Sequence, residues 1–473
     1  MITTIVVLLF YLGGIVAAAH AALTTRTAQG AVAWTVSLVS FPFLALPAYL
    51  VLGRNKFAGR AELFEAVQDE AVDLLQKFED GLDEFRTPVQ KGSSWRHAVE
   101  QLLGLDVLEG NDVELLVNGG ATFDSILEGI AGARDYILFQ FYMIHDDHLG
   151  RQVRDALVER AKAGVSVLVL YDEVGSGGLP GAYVRSLEAA GISVSSFKPT
   201  QGRGNQFQLN FRNHRKMVVV DGREGWVGGH NVGDEYLGRD PKFSPWRDTH
   251  IRLRGPAVHQ LQLVILADWY WATREIPEVN WAPERGTGDG GGKRVLIVPT
   301  GPSSQHETAS LFFVAAISVA RERLWIAAPY FVPDDAVLKA LKLAALRGVE
   351  VRIITTGKSD SLPVWLAAFH YIHKLRGLGI RFYAYTPGFM HQKVVLIDHH
   401  LAYVGSHNFD NRSFRLNFEV GALVDDEPFA GEVAAMFEQD FAQAEPIDPE
   451  ELEQRGLLWR LGVQLSRLAS PVL

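Results

Sequence analysis

One block of residues occurs twice in this chain, and the duplication constrains the fold more than any other feature. Both copies follow the pattern HxKxxxxD-x6-G(G/S)xN, within His214–Asn231 and His391–Asn408. The shared positions are His214, Lys216, Asp221, Gly228, Gly229 and Asn231 in the first copy, and His391, Lys393, Asp398, Gly405, Ser406 and Asn408 in the second. A long chain with a repeated block of this kind predicts two similar domains.

The segments around each block alternate between strand-like and helix-like patterns in the same order, which predicts the α/β class with a sheet covered by helices. The predicted strand, helix and strand are 136–142, 149–163 and 165–171 in the first copy, and 324–330, 337–346 and 349–355 in the second. The first copy carries about 11 additional residues within Lys198–Arg212, which predicts a loop. A Gly-rich joint, 283–293, separates the copies.

The N-terminus contains two apolar stretches, Ile2–Leu23 and Ala31–Gly53, each about long enough to cross a bilayer as a helix. We therefore predict two transmembrane helices, with a cleaved signal peptide or a buried hairpin as the alternatives. The cations flanking the second stretch are Arg54, Lys56 and Arg60, against Arg26 alone in the short loop. By the positive-inside rule, the large C-terminal body lies on the cytoplasmic side.

The repeated block has the chemistry of phosphoryl transfer. A His and a Lys two positions apart on a strand project from the same face, so both can reach one phosphate. Two facing copies would provide one imidazole to attack phosphorus, a second to act as general acid and base, and two ammonium groups to neutralise charge. Gly229, Ser406, Asn231 and Asn408 are predicted to approach the phosphate closely. We expect neither a metal nor another cofactor, because the lysines supply the positive charge.

Composition excludes several other sites. The chain has no cysteine, which rules out disulfides, thiolate metal sites and a cysteine nucleophile. Its formal net charge of −10 disfavours nucleic acid as a partner. His370 and His373 lie three apart on a predicted helix, but no third metal ligand accompanies them, so we interpret both as ordinary surface or core residues.

These motifs resemble the signature of the phospholipase D superfamily. The apolar N-terminus, the segments 246–248 and 416–419, and the closing residues 470–473 are similar to bacterial cardiolipin synthases with two motifs. The resemblance implies two α/β/α sandwich domains related by pseudo-twofold symmetry. It also implies an acidic residue that orients each histidine within its own copy, Asp248 for His214 and Glu419 for His391. Asp221 and Asp398 belong to the signature of the site, although their position suggests that they hold the turn.

The same resemblance implies a reaction and a location. A phosphatidyl group would pass from one phosphatidylglycerol to another, giving cardiolipin and glycerol through a phosphohistidine, with His214 favoured as the nucleophile. The enzyme would lie in the bacterial inner (cytoplasmic) membrane. A phospholipase D hydrolase, a transferase using another alcohol such as serine, a nuclease and a non-catalytic scaffold remain as alternatives.

The predicted organisation follows from these features. It comprises two membrane helices (1–56), an amphipathic linker region (57–110), a first domain (111–282), the joint (283–293) and a second domain (294–473). The stretch Glu62–Phe85 has helical apolar spacing and predicts an amphipathic helix. A C-terminal helix, Leu457–Leu468, is predicted either to lie at the membrane interface or to pack on the catalytic body.

Overall fold

A computed structural model describes residues 2–25, 27–53, 57, 68–88, 94–200, 210–288, 292–304, 306–358 and 360–472. The helices in these ranges are α1 Ile2–Thr24, α2 Ala28–Ser40, α3 Pro42–Leu52, α4 Gln68–Leu82, α5 Ser94–Leu103, α6 Asn118–Gly132, α7 His148–Lys162, α8 Gly181–Glu188, α9 Ala257–Thr273, α10 Thr308–Val319, α11 Asp335–Leu346, α12 Leu362–Lys374, α13 Asn411–Arg415, α14 Glu427–Ala442, α15 Glu451–Gln454 and α16 Leu457–Leu468.

The strands in the same ranges belong to one large mixed sheet and three small two-stranded sheets. They are β1 Leu108–Val117, β2 Tyr136–Phe141, β3 Ser166–Asp172, β4 Ser193–Phe197, β5 Arg212–Asn213, β6 Met217–Val220, β7 Glu224–Gly228, β8 Trp246–Arg247, β9 Thr249–Arg254, β10 Lys293–Ile297, β11 Arg323–Ala327, β12 Phe331–Val332, β13 Glu350–Thr356, β14 Arg381–Tyr385, β15 Phe389–Met390, β16 Val394–Ile397, β17 Leu401–Gly405, β18 Phe409–Asp410, β19 Asn417–Phe418, β20 Gly421–Asp425 and β21 Ala444–Ile447.

The large sheet has the same strand order in both halves of the chain. Read from the middle outward, β1-β9-β7-β6-β2-β3-β4 matches β10-β20-β17-β16-β11-β13-β14, and β1 pairs antiparallel with β10 to join the halves. Strands such as β2 are buried along their whole length because helices cover the sheet, which explains their continuous apolar sequence. The predicted α/β class is confirmed. Three of the four predicted strands lie within one residue of their observed limits, whereas the strand predicted over 324–330 ends three residues earlier, at Ala327.

The N-terminal region contains one helix, within the part of the chain that the structure describes, that is long and apolar enough to cross a membrane, Thr3–Thr24. The second predicted span is interrupted at Phe41, because Pro42 has no N–H with which to continue a helix. The resulting helices α2 and α3 have 13 and 11 residues. At about 1.5 Å per residue, each is shorter than the hydrocarbon layer. Arg26, Arg54, Lys56 and Arg60, on which the predicted orientation rests, lie outside the described residues.

The segment after the N-terminal helices contacts the catalytic body through Phe57. Its side chain is buried in an aromatic cluster with Phe197, Phe211, Trp271 and Phe418. Phe211, near the end of the loop predicted within Lys198–Arg212, is therefore part of the core, whereas residues 201–209 of that loop lie outside the described residues. Of the predicted amphipathic helix, the described part is α4, and the buried Phe78 and Leu82 pack it on the main core.

Two short strand pairs, separate from the large sheet, join the two halves of the chain. β5 pairs in parallel with β19, and β8 pairs in parallel with β15. In each pair, the strand that precedes a motif histidine lies beside the strand that precedes an acidic residue of the other half. This strand pairing across the halves determines the geometry of the site.

Candidate active site

The two motif histidines line one cavity of about 630 Å³ between the halves. The backbone N–H of His214 donates to the carbonyl oxygen of Phe418 (2.9 Å), and that of His391 donates to the carbonyl oxygen of Arg247 (2.8 Å). Each histidine is thus held by backbone from the opposite half. The juxtaposition that the repeated block predicts, two imidazoles in one cleft, is present in the structure.

The acidic partner of each histidine comes from the opposite copy. His214 Nδ1 lies 2.9 Å from Glu419 Oε2, and His391 Nδ1 lies 2.7 Å from Asp248 Oδ2. The prediction that each acidic residue orients the histidine of its own copy is therefore wrong. The physical reason is the strand pairing across the halves: β19 brings the residue before Glu419 beside Asn213, and β8 brings Arg247 beside Met390.

These contacts define the form of both imidazoles. A carboxylate can only accept, so Nδ1 carries the proton and Nε2 is left with a lone pair. Burial lowers the pKa of His214 to about 4. Burial also lowers the pKa of His391, and the charges of the nearby lysines lower it further. Burial alone would raise the pKa of Glu419, but the charge of His214 and its hydrogen bond lower it to about 2. In the free site both rings are neutral and Glu419 is ionised.

The carboxylate of Glu419 is held by three further donors. Ser406 Oγ, Ser413 Oγ and Asn417 Nδ2 donate to it at 2.5, 2.8 and 3.1 Å. Asp248 instead accepts from the backbone N–H of Thr249 at 2.8 Å. The charge of Glu419 is therefore spread over more hydrogen bonds than that of Asp248, which leaves Asp248 better able to stabilise an imidazolium.

Both motif lysines are buried directly behind the histidines. Lys216 Nζ donates to the carbonyl oxygen of His214 at 2.6 Å, and Lys393 Nζ donates to that of His391. Burial lowers the pKa of Lys393 to about 8 and lowers the pKa of Lys216 as well. A lysine ammonium has three N–H donors, so the bond to the carbonyl oxygen leaves two, although the residues that line the cavity do not include either lysine.

Asp221 and Asp398 lie outside the cavity, at the far ends of β6 and β16. Asp221 accepts from the backbone N–H groups of residues 134, 135 and 136, and Asp398 accepts from those of residues 321, 322 and 323. Both have a positive φ, 53° and 51°. Each caps the loop that precedes β2 or β11, which agrees with the turn-holding role that their position in the motif suggests, and their listing with the catalytic residues of the signature is corrected accordingly.

Gly229 and Ser406 do not reach a phosphate either. The N–H of Gly229 donates to Thr249 O (3.0 Å) and that of Ser406 donates to Val420 O (2.8 Å), so neither is available to an anion. Both residues lie against the carboxylates instead. A Cβ at Gly229 would come within 2.0 Å of Asp248 Oδ1. Their predicted role in phosphate binding is corrected to one of positioning the acidic residues.

Asn231 and Asn408 line the cavity as predicted. Asn231 donates to the hydroxyl of Tyr236 at 2.6 Å and accepts from the N–H of Met143 at 3.3 Å. Asn408 Oδ1 has no hydrogen-bond partner among the described residues. Both amides are therefore placed to contact a substrate.

Sequence reasoning missed several residues of the cavity wall. Arg212 and Arg412 add cationic groups, and Arg412 is held by two hydrogen bonds to Asn210. The aromatic and acidic lining residues that were not predicted as part of the site are Tyr142, Glu235, Tyr236, Asp240, Phe243, Trp246, Tyr330 and Asp360. The sequence contains a signal for some of them. Tyr142 and Tyr330 end the matching predicted strands 136–142 and 324–330, Trp246 lies in the segment 246–248, and Arg212 stands two positions before His214.

His145 lines the cavity, whereas four other histidines take structural positions. His230 and His407, which occupy the variable slot of each motif, are buried behind the site and do not line the cavity. His373 contacts Pro449 O and Glu453, and His370 contacts Gln464, so these two hold the C-terminal segment and do not share a ligand.

A family model described as cardiolipin synthase, PLD-like domain, matches residues 126–240 and 313–441, which include both motifs. Cardiolipin synthase A of Pseudomonas fluorescens (strain SBW25) is 46% identical over 97% of this chain and 96% of its own length. The protein of the same name from Pseudomonas aeruginosa (strain LESB58) is 47% identical over 97% of this chain and 94% of its own.

Two solved structures support the fold. Phosphatidylserine synthase of Haemophilus influenzae Rd KW20 superposes with a TM-score of 0.64 over 80% of this chain and all of its own, at 14% identity. Polyphosphate kinase of Porphyromonas gingivalis gives a TM-score of 0.51 over 72% of this chain and 49% of its own, also at 14% identity. The duplicated motif, the shared cavity and the near full-length relatives lead to one conclusion: the chain belongs to the cardiolipin synthase family of phospholipase D-like proteins.

Proposed function

We propose that the protein transfers a phosphatidyl group from one phosphatidylglycerol to a second, releasing glycerol and forming cardiolipin. The observation that carries this proposal is the pair of imidazoles in one cavity, each hydrogen-bonded through Nδ1 to a buried carboxylate and backed by a lysine. The names of the relatives supply the identity of the lipid.

The reaction proceeds in two displacements at one phosphorus. His214 Nε2 attacks the phosphodiester, and the bond from phosphorus to the glycerol oxygen breaks while His391 gives that oxygen a proton. His391 then removes the proton from a hydroxyl of the second lipid. That oxygen attacks phosphorus and the P–N bond breaks, which returns both rings to their starting form.

His214 is proposed as the nucleophile because the two carboxylates differ. Asp248, with fewer competing donors, stabilises the imidazolium that a general acid requires, and Asp248 contacts His391. The lysines disfavour an imidazolium in the empty site. An anionic phosphodiester offsets their charge, so His391 takes up its proton as substrate binds.

The proposal extends to the membrane and the domains. We infer that α1 crosses the inner membrane and that α2 and α3 together return through it, with the body (57–473) on the cytoplasmic side. α1 packs on the pair through small residues, and His20 Nδ1 lies 2.7 Å from the hydroxyl of Tyr49. The matching strand order supports two domains, 111–282 and 294–473, related by a pseudo-twofold axis.

The test is a lipid-product assay with purified protein in phosphatidylglycerol micelles. Cardiolipin and glycerol in equal amounts are expected, and excess chelator should leave the rate unchanged because two lysines supply the positive charge. Phosphatidic acid without cardiolipin would identify a hydrolase, and a strict need for a divalent ion would contradict the role of the lysines.

Gly229→Ala should lower turnover about 100-fold, because the new Cβ displaces the carboxylate that orients His391. Ser406→Ala is the matched control: it removes one of several donors to Glu419 and should cost about tenfold or less. Turnover and thermal melting of both variants check this expectation. Equal activity of the two would show that the carboxylate position tolerates the clash.

Substrate affinity should weaken above pH 8. The pKa of Lys393 is about 8, so its ammonium charge is present below that pH and is lost as pH rises through it. We expect KM for phosphatidylglycerol in micelles to rise by up to about tenfold per pH unit above 8. Lys393→Arg keeps its charge and should lack this rise. A KM that stays constant in the wild type to about pH 9.5 would contradict the assignment.

A further inference from the structure

The C-terminal helix α16 presents two apolar faces, and one of them is exposed. Five of its leucines are between 49% and 85% exposed. They are Leu457, Leu458, Leu461, Leu465 and Leu468. At 3.6 residues per turn, all five fall within an arc of about 100°.

The opposite face of α16 is already occupied by the catalytic body. Val463 is fully buried, and Trp459 packs edge-to-face on Phe369 of α12 at 4.9 Å. Gln464 of α16 contacts His370, which also lies on α12. The helix is therefore held in place with its leucine arc turned outward, so the arc is a fixed surface of the folded protein.

The charge of α16 indicates what covers the arc. The helix contains two cations, Arg460 and Arg467, both exposed, and no acidic residue, although the chain as a whole carries a net charge of −10. A leucine surface with arginines beside one edge is complementary to an anionic bilayer, in which the leucines meet acyl chains and the arginines meet phosphates.

The position of α12 connects this surface to the catalytic cavity. α12 begins at Leu362, which is 60% exposed, two residues after Asp360 of the cavity wall. The helix on which α16 packs thus starts at the rim of the site. The ring contact at Phe369 lies seven residues beyond Leu362, about 10 Å along α12, so one helix connects the surface that carries α16 to the rim of the site.

We propose that α16 is an interfacial helix whose leucine arc inserts into the anionic membrane surface beside the catalytic cavity. It forms a second membrane contact of the body, separate from the N-terminal helices. A second copy of the chain is the competing occupant of the same surface.

The absence of cysteine allows a direct test with single-cysteine variants of the full chain. Leu461→Cys carries an environment-sensitive fluorophore, and Glu432→Cys, an exposed acidic position on α14, is the matched control. The protein is reconstituted in phosphatidylglycerol–phosphatidylcholine vesicles with brominated acyl chains. We expect the label at 461 to be quenched by about half or more and the label at 432 to be unaffected.

Three outcomes would overturn the proposal. Equal quenching at both positions would show that contact with the acyl chains is not specific to α16, and no quenching at 461 would show that α16 does not insert. Cross-linking between copies through the thiol introduced at position 461 would assign the arc to a dimer. Because quenching requires no catalysis, its failure is distinguishable from failure of the proposed reaction.

A second variant connects the surface to the lipid reaction and rests on the proposed function. Leu461→Gln with Leu465→Gln should raise KM in vesicles roughly fivefold while leaving turnover in detergent micelles unchanged. An unchanged KM in vesicles would contradict a role for the arc in substrate access.

Discussion

His391→Ala should release one equivalent of p-nitrophenolate from phosphatidyl-p-nitrophenol in a rapid burst and then stop. p-Nitrophenolate leaves without a proton, so the variant can still form the phosphohistidine on His214. It cannot activate a hydroxyl for the second step, because that is the role proposed for His391. With phosphatidylglycerol, whose leaving group needs a proton, the same variant should lose about 10²- to 10⁴-fold in rate.

His214→Ala is the matched control for this experiment and should show no burst. Removal of the nucleophile should abolish turnover of both substrates, by about 10⁵-fold or more. Stopped-flow absorbance measures the burst, and thermal melting checks that both variants fold. A burst in His214→Ala and none in His391→Ala would reverse the two roles.

Glu419→Gln should behave like His214→Ala, and Asp248→Asn like His391→Ala. Each carboxylate fixes the tautomer of the histidine that it contacts, and an amide at that position permits the wrong one. We expect losses of about 10⁴-fold with phosphatidylglycerol in each case. The burst should survive in Asp248→Asn and disappear in Glu419→Gln.

This pattern distinguishes pairing across the halves from pairing within them. If each carboxylate served the histidine of its own copy, the burst would survive in Glu419→Gln and disappear in Asp248→Asn. The same four proteins and the same assay decide the question, so differences in lipid presentation cannot produce the result.

The sequence predicted the reacting groups better than their partners. His214 and His391 could be found because a repeated pattern with constant spacing marks them, and their common cavity follows from the duplication. The pairing with Asp248 and Glu419 could not be predicted correctly, because it depends on β5, β8, β15 and β19. Strands of two residues leave no periodic signal.

The second error in predicting the site came from residues of the repeated pattern that have structural roles. Asp221, Asp398, Gly229 and Ser406 recur with the same regularity as the histidines, yet they cap loops or position carboxylates. Recurrence identifies what both halves need, and both halves need a folded turn as much as a reacting group. Conversely, Arg412 has no counterpart in the repeat and was missed, although it lines the cavity.

The membrane segment shows a different limit. Hydropathy alone gives two stretches of sufficient length, but Pro42 divides the second into two helices of 13 and 11 residues. The apolar pattern does not distinguish a continuous helix from two short ones, whereas the position of the proline does.

Trapping of the covalent intermediate tests whether the two halves of the chain act on one phosphorus atom. His391→Ala is mixed with phosphatidyl-p-nitrophenol, quenched in alkali and digested for mass spectrometry. We expect one phosphatidyl group per chain, on the peptide that contains His214, although the substituted residue belongs to the other half. A chain that carries no phosphatidyl group, or carries it outside both motifs, would contradict a shared site.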